Sequence, residues 1–306
     1  MTPSLEVELC GVRLPTPVLA ASGCFGFGRE MASFVDLARI GAVVTKSVSL
    51  EPRRGRPTPR MAETPSGMLN AIGLQNPGVE AFCRGDLRFL AESGARVVAS
   101  AVGRNVEEFA RVAGRLSREE AVHLIEVNLS CPNVDSRGEV FATHAGMAAM
   151  VVRAVKEVVR QPVLAKLTAD VTDLVAVAAA VVEAGADGLT LINTLLGMAV
   201  DVHRRRPKLA AVTGGLSGPA IRPVAVRCVW QVARAMPEVP IVGVGGVMTG
   251  EDAAELLLAG ATAVQVGTAN FIDPRATAEV AEGLRAYLES QRLTSVTELP
   301  ALLKAE

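Results

Sequence analysis

The chain has 306 residues, of which 50% are hydrophobic and 3% aromatic, and its formal net charge is −1. Nucleic-acid-binding proteins normally present a basic surface and aromatic stacking side chains, so this composition argues against DNA and RNA as partners. The longest uncharged run, residues 256–272, contains polar residues, whereas a membrane span needs roughly 18 consecutive apolar residues. We expect no membrane span. Glu6 and Glu8 stand where a secretory signal would be positive, so we expect a cytoplasmic protein.

Short apolar runs alternate with helical patterns along the chain. Residues 5–10, followed by Arg13, predict an N-terminal β-hairpin. The strands that follow are predicted at residues 17–22, 42–47, 96–101, 124–128, 163–167, 188–193, 241–245 and 263–267. Helices are predicted between them, at residues 28–39, 79–92, 106–116, 143–159, 171–184, 219–236, 250–259 and 275–290. Eight strand–helix units predict an α/β fold, a closed (β/α)8 TIM barrel with an N-terminal β-hairpin, in a single domain over residues 1–306.

The positions of the glycines favour this barrel over an open doubly wound sheet. An open sheet normally places a GxGxxG loop directly after its first strand. Residues 20–28 contain several glycines without that spacing. The glycines best suited to phosphate come late instead, in residues 243–246 and 266–268, after the seventh and eighth predicted strands. Barrels commonly hold phosphate there, on backbone N–H groups at helix N-termini.

Polar side chains stand at or near the ends of most predicted strands. They are Ser22, Lys46, Ser47, Ser100, Asn128, Cys131, Lys166, Asn193 and Thr194, with Asn70 on the long loop after the second strand. All strand ends of a parallel barrel converge on one face, so these side chains should surround one mouth. An amide side chain both accepts and donates hydrogen bonds, so three asparagines there suit a cyclic imide or a pyrimidine. Lys46 suits a ligand carboxylate or an electron-rich ring, and Lys166 suits a flavin or a phosphate.

Other chemistries lack their residues at these strand ends. Two-carboxylate hydrolysis needs a pair of acidic side chains, and metal-assisted chemistry needs a cluster of ligands, and neither pattern occurs there. The five cysteines show no CxxC spacing, which predicts reduced thiols and no metal or iron–sulfur site. Cys24, in the loop after the first strand, is expected to serve packing. Redox chemistry on a bound flavin mononucleotide (FMN) fits the remaining residues best.

Several long segments resemble the class 1 dihydroorotate dehydrogenases, from about residue 5 to residue 274. They are residues 45–53, 67–78, 128–134, 186–194, 214–221 and 266–271. Residues 70–78 are similar to subtype B, whose catalytic subunit works with an electron-transfer subunit carrying FAD and a [2Fe–2S] cluster and passing electrons to NAD+. The resemblance implies FMN-dependent oxidation of dihydroorotate to orotate in de novo pyrimidine biosynthesis. It also implies a heterotetramer of two catalytic and two electron-transfer subunits.

The resemblance further implies roles for individual residues. Cys131 is the implied base that removes the C5 proton while a hydride leaves C6, and Lys46 is the implied catalytic lysine beside it. The implied substrate contacts are Lys46, Asn70, Ala71, Ile72, Gly73, Leu74, Asn128, Asn193 and Thr194. The implied FMN contacts are Ser22, Lys46, Ser47, Asn128, Lys166, Ile192, Gly218, Gly245, Gly246, Gly267 and Thr268.

One position departs from the family pattern, since Ser100 stands where many relatives have asparagine. Ser100 is expected at the flavin with a shorter side chain, so that flavin affinity is lower or a water fills the gap. Residues 132–143, after the implied base, are a candidate lid over the substrate. Two alternatives stay open. One is a related barrel enzyme with another acceptor or substrate, either the fumarate-reducing homodimeric subtype or a pyrimidine-reducing relative. The other is a non-catalytic flavin-binding or assembly subunit.

Overall fold

The computed structural model describes residues 2–129 and 140–304. Within these residues the strands, in chain order, are β1 (Val7–Leu9), β2 (Val12–Leu14), β3 (Val18–Ala20), β4 (Val43–Val44), β5 (Met61–Thr64), β6 (Gly67–Asn70), β7 (Val97–Ala101), β8 (Leu124–Asn128), β9 (Val163–Leu167), β10 (Gly188–Leu191), β11 (Leu195–Met198), β12 (Val200–Asp201), β13 (Arg206–Pro207), β14 (Thr213–Ser217), β15 (Ile241–Val244) and β16 (Ala263–Val266). A closed barrel forms in the order β10-β15-β16-β3-β4-β7-β8-β9, and every neighbouring pair is parallel.

The helices pack around this barrel. They are α1 (Val79–Arg84), α2 (Asp86–Glu92), α3 (Val106–Leu116), α4 (Ala145–Lys156), α5 (Leu174–Glu183), α6 (Arg222–Ala235), α7 (Gly250–Leu258) and α8 (Ala276–Ser290). Short 3-10 helices cover Phe141–Thr143, Pro219–Ile221, Thr268–Phe271 and Val296–Ala301. Among the residues described, no helix is long and apolar enough to span a membrane.

The predicted (β/α)8 barrel with an N-terminal hairpin is confirmed. Every residue of β7, β8, β9, β10, β15 and β16 is buried. In a parallel barrel, helices cover one face of each strand and the other face packs inside the barrel. Strands buried on both faces have nearly continuous apolar sequences, which makes them easy to recognise in the sequence. β1 and β2 pair antiparallel, with Val7 opposite Leu14, as the predicted hairpin requires.

The predicted helix over residues 28–39 is wrong, because this segment forms a series of turns. Its backbone hydrogen bonds mostly join residues three apart, such as Met31 N–H to the Gly28 carbonyl at 3.1 Å. Gly28 has φ +88°, outside the helical region. The Asp36 carboxylate accepts from the Ala38 N–H at 3.0 Å, which is a local turn that competes with a helix.

The predicted helix over residues 79–92 is interrupted. Gly85, with φ −111° and ψ −80°, separates α1 from α2. Glycine is the residue that leaves the helical conformation at the lowest steric cost, so the interruption falls there.

A second sheet, which the sequence did not predict, joins the loops above the barrel. It is antiparallel in the order β11-β14-β6-β5, with Asn70 at the end of β6 opposite Gly215 on β14. A Cβ on Gly215 would lie 2.1 Å from Thr194 Oγ1, so this close approach requires glycine. The sheet therefore brings the loop that begins at Asn70 next to the end of β10.

The contact between α7 and α8 gives a test of the packing. A Cβ on Gly250 would lie 2.0 Å from the Gly283 carbonyl carbon and 2.1 Å from Leu284 N, which are main-chain atoms of α8. Gly250→Ala must therefore force the helices apart, and we expect a loss of about 3 kcal/mol in the free energy of unfolding, measured by urea denaturation.

Gly146 in α4 is the matched control, because a Cβ there would meet no atom of the described residues within 4 Å. Gly146→Ala should raise stability by about 0.5 kcal/mol, since alanine lowers the entropy of the unfolded chain. Equal urea midpoints for the two variants would contradict the close α7–α8 packing.

Candidate active site

A cavity lies at the carboxyl ends of the barrel strands. Its wall is formed by Ala21, Ser22, Cys24, Lys166, Ile192, Asn193, Thr194, Ser217, Gly218, Ile221, Val244, Gly245, Gly246, Val247, Met248, Gly267 and Thr268. Residues far apart in the chain meet here because every barrel strand points its carboxyl end at the same face. The wall includes most of the predicted flavin contacts and two of the predicted substrate contacts, Asn193 and Thr194.

Three predicted residues outside this wall, Ser47, Ser100 and Asn128, are connected to it by a series of hydrogen bonds. The Ser100 and Ser47 hydroxyl oxygens are 2.9 Å apart, and Asn128 Nδ2 donates to Ser47 Oγ at 3.1 Å. Asn193 Nδ2 donates to Asn128 Oδ1 at 3.4 Å, and Asn193 Oδ1 accepts from Thr194 N–H at 2.8 Å. These hydrogen bonds thus connect Ser100 on β7 with the cavity-wall residues Asn193 and Thr194 after β10.

This arrangement places Ser100 behind Ser47. Ser100 is fully buried, and its backbone N–H donates to Thr45 Oγ1 at 3.1 Å. Its hydroxyl supports Ser47, which in turn accepts from Asn128. The expected contact between Ser100 and a flavin stays a prediction.

Lys46 is held against the loop after β3. Its backbone N–H donates to the Gly26 carbonyl at 3.0 Å. A Cβ on Gly23 would lie 3.6 Å from Lys46 Nζ, so the ammonium packs over that glycine. Lys46 therefore lies beside the same loop that contributes Ser22 and Cys24 to the cavity wall.

The glycine-rich loops after β14, β15 and β16 meet at one end of the cavity. Gly218, Gly245 and Gly246 have φ +94°, +137° and +77°, values that favour glycine. Thr268 Oγ1 donates to Ser217 Oγ at 2.8 Å, which ties the loop after β16 to the end of β14.

Helix α6 begins against these loops. A Cβ on Gly246 would lie 2.6 Å from Arg222 Cβ and 3.0 Å from Arg222 N, at the first residue of α6. Arg222 is fixed there by Asp252, with which it forms an ion pair, and by Glu255 at 3.1 Å. Glycine loops against a helix N-terminus are the arrangement with which barrels bind phosphate.

The predicted substrate loop, residues 70–74, lies next to the cavity wall and not within it. Asn70 Nδ2 donates to the Gly215 carbonyl at 3.4 Å, on the β14 strand that ends at the wall residue Ser217. Gly73 and Leu74 both have positive φ, at +77° and +57°. The buried Asn76 fixes this bend, because its Nδ2 donates to the Leu74 carbonyl at 2.7 Å.

Cys131 and residues 132–139 of the candidate lid lie outside the described residues. Among the described residues, the thiol that lines the cavity is Cys24, and its expected packing role stays a prediction. Burial raises the pKa of Cys24 to about 11, although Lys166 and Lys46 partly offset that rise. A thiol with this pKa is protonated at neutral pH, so Cys24 is unsuited to act as a base.

Sequence reasoning missed Ser217 and Asn76 in this region, and it assigned Cys24 to packing. Cys24 and Ser217 line the cavity, and Asn76 shapes the substrate loop through hydrogen bonds to Ser49 and the Leu74 carbonyl. Ser217 and Asn76 stand within segments that resemble the family, and Cys24 follows a predicted strand. These positions were therefore visible, but nothing in the sequence separated them from ordinary loop residues.

The closed parallel barrel and its polar, glycine-lined mouth define a barrel enzyme. Residues 4–288 match the dihydroorotate dehydrogenase family. The chain is 52% identical over 297 residues to a protein of Geotalea uraniireducens, covering 97% of each chain. It is 52% identical over 296 residues to one of Alkaliphilus oremlandii, covering 97% of each, and 52% identical over 304 residues to one of Pelobacter propionicus, covering 99% of this chain and 100% of that one. All three relatives are named dihydroorotate dehydrogenase B (NAD(+)), catalytic subunit. The chain therefore belongs to the dihydroorotate dehydrogenase family.

Proposed function

We propose that this chain is the catalytic subunit of a B-type dihydroorotate dehydrogenase and oxidises (S)-dihydroorotate to orotate with FMN, a step of UMP biosynthesis. The cavity at the strand ends carries the proposal, because Lys166, Asn193, Thr194 and the glycine loops meet there. Membership of the dihydroorotate dehydrogenase family supports this reaction.

The residues present fit FMN. Backbone N–H groups at the start of α6 and in the neighbouring glycine loops suit its phosphate. The buried ammonium of Lys166 lies at the cavity wall and suits an electron-rich ring. The residues proposed to hold FMN are Ser22, Lys46, Ser47, Ser100, Asn128, Lys166, Ile192, Gly218, Gly245, Gly246, Gly267 and Thr268.

The chemistry is divided between the cofactor and the protein. When bound, FMN supplies the acceptor for the hydride that leaves C6 of dihydroorotate. Cys131 is proposed to take the C5 proton as a thiolate, because the thiolate is the basic form of cysteine. Lys46 is proposed to bind the substrate and to favour that thiolate. Asn128, Asn193 and Thr194, with residues 70–74, are proposed to orient the ring through its amide groups, which both donate and accept.

Electrons must then leave the cofactor for each turnover to continue. The relatives are named as catalytic subunits and as NAD(+) enzymes. We therefore propose a partner subunit carrying FAD and a [2Fe–2S] cluster, which passes electrons to NAD+. The proposed assembly is a heterotetramer of two catalytic and two electron-transfer subunits.

The test uses the full chain purified alone and with the electron-transfer subunit. We expect a yellow protein whose visible flavin band is bleached by dihydroorotate without oxygen. NADH should form only after the partner is added, and fumarate should not reoxidise the chain alone. Rapid turnover with fumarate would indicate the homodimeric subtype, and a flavin that dihydroorotate cannot bleach would indicate another substrate or a non-catalytic subunit. A protein that neither contains nor binds FMN would overturn the proposal.

A further inference from the structure

A buried polar group lies inside the barrel beneath the cavity. We call it the interior cluster, and its members are Glu126 on β8, Lys166 on β9, Thr190 on β10 and Gln265 on β16. Glu126, Thr190 and Gln265 are fully buried, and Lys166 is 4% exposed. Barrel interiors are normally filled by branched apolar side chains, so a charged pair at this depth calls for an explanation.

The two carboxylate oxygens of Glu126 have different surroundings. Oε2 accepts from Thr190 Oγ1 at 3.2 Å and from Gln265 Nε2 at 3.1 Å. Oε1 accepts no hydrogen bond among the described residues and lies 3.7 Å from Lys166 Nζ. Glu126 is thus anchored by one oxygen, and its other oxygen attracts the ammonium.

Lys166 is in contact with both the cluster and the cavity. Its Nζ donates to Gln265 Oε1 at 3.5 Å, a long hydrogen bond, and Lys166 is the cluster member that lines the cavity wall. An ammonium has three N–H donors. The Lys166 ammonium lies 3.5 Å from Gln265 Oε1 and 3.7 Å from Glu126 Oε1. With only two such long contacts among the described residues, it still has an N–H group that can donate to a ligand in the cavity.

Stability alone does not account for this pair. Burying two charges costs a large desolvation free energy, and replacing a buried ion pair by apolar side chains is often neutral or stabilising. Removing one partner, in contrast, leaves an uncompensated buried charge. The pair is therefore better explained by what Lys166 does at the cavity than by its contribution to the fold.

We propose that Glu126 is a positioning residue that holds the Lys166 ammonium at the cavity wall, toward an electron-rich ring group of the bound flavin. Glu126 does not line the cavity and acts through Lys166. The inference rests on the proposed function, because it takes FMN as the ligand.

The test compares Glu126→Gln with Thr190→Val in the full chain. Glu126→Gln keeps the shape of the side chain and removes the charge that faces Lys166. Thr190→Val removes a hydrogen bond to the same carboxylate and leaves the ion pair. We expect Glu126→Gln to weaken FMN binding about tenfold, as loss of one charged contact would, and Thr190→Val to stay within about twofold. FMN affinity is measured by fluorescence titration of the apoprotein.

A double-mutant cycle then distinguishes an effect of Glu126 that acts through Lys166 from a general disturbance of the fold. Lys166→Met should weaken FMN binding at least as much as Glu126→Gln, and the double variant should be no worse than Lys166→Met alone. The flavin midpoint potential should become more negative in Lys166→Met, because reduction adds negative charge that the ammonium stabilises. It should also become more negative in Glu126→Gln, because the ammonium is then no longer held at the cavity wall, and its loss from the ring outweighs removal of the carboxylate charge, which lies outside that wall. Thr190→Val should leave that potential unchanged.

The outcomes distinguish the two proposals. Additive losses in the cycle, or equal effects of Glu126→Gln and Thr190→Val on affinity and potential, would overturn the positioning role and leave the proposed function intact. Failure of the wild-type chain to bind FMN would overturn both. Urea denaturation of each apoprotein shows whether a variant has lost its fold. If Glu126→Gln has, Glu126→Asp takes its place, because the shorter side chain withdraws the carboxylate from Lys166, and a wild-type FMN affinity and potential in Glu126→Asp would overturn the positioning role.

Discussion

Replacing Cys131 by alanine is expected to slow the reduction of bound flavin by dihydroorotate about 10²–10⁴-fold at neutral pH, the range that a general base contributes. The variant lacks the thiol that is proposed to receive the C5 proton. Flavin binding should persist, because the proposed FMN contacts do not include Cys131. The measurement is stopped-flow bleaching of the flavin band without oxygen, with the flavin content of each preparation determined first.

Cys24 provides the comparison, because it is the cysteine that lines the cavity among residues 2–129 and 140–304. Burial is the main cause that raises its pKa, to about 11 against an ordinary value of 9.0. Because its pKa is raised, the Cys24 thiol stays protonated from neutral pH up to about pH 10 and cannot accept a proton there. Cys24→Ala should therefore reduce the bleaching rate by far less than Cys131→Ala. Equal losses in the two variants would show that the base has been assigned to the wrong residue.

The sequence was sufficient to predict the barrel because its strands are buried on both faces. Runs such as Val-Leu-Ala-Lys-Leu at residues 163–167 need no alternation of polar and apolar residues to be recognised. The site followed from topology, since parallel strand ends must meet. Asn193, Lys166 and Thr268 were predicted from separate strands, and they do line one cavity.

The antiparallel sheet above the barrel could not be predicted from its sequence pattern. β5 has the sequence Met-Ala-Glu-Thr and β11 has Leu-Leu-Gly-Met, and neither shows a strict alternation of polar and apolar residues. Their pairing depends on close contacts at glycines, such as Gly215 against Thr194, that only the folded chain shows. Local pattern gives no information on such contacts.

The interior cluster shows a second limit of the sequence. Glu126 and Gln265 each stand within an apolar strand and are 139 positions apart. A polar residue at such a position indicates a partner, because an unpaired buried charge is costly. Which residue pairs with it depends on the order of strands around the barrel, and only the closed structure shows that order.

Gly246→Ala is expected to weaken FMN binding by about two orders of magnitude, or about 3 kcal/mol. Gly246 has φ +77°, where an added Cβ is strained, and that Cβ would lie 2.6 Å from Arg222 Cβ. Arg222 cannot easily move, because Asp252 and Glu255 hold its guanidinium. The methyl group must therefore displace the start of α6 from the loop after β15, and it separates the backbone N–H groups proposed to bind the phosphate.

Gly11→Ala is the matched control, since Gly11 has φ +81° and a Cβ there would meet nothing within 4 Å in the part of the chain that the structure describes. Gly11→Ala introduces the same backbone strain as Gly246→Ala, about 1 kcal/mol. It does not introduce the steric overlap that the added methyl group makes with Arg222, and Gly11 does not line the cavity. We expect Gly11→Ala to lower the urea midpoint slightly and to bind FMN as the wild-type chain does. If folded Gly246→Ala bound FMN with unchanged affinity, the loop after β15 would not be the phosphate site. Inorganic phosphate should inhibit FMN binding to the wild-type chain and should no longer inhibit it in Gly246→Ala. This result would show that the loss of affinity comes from the phosphate group of FMN and not from its ring.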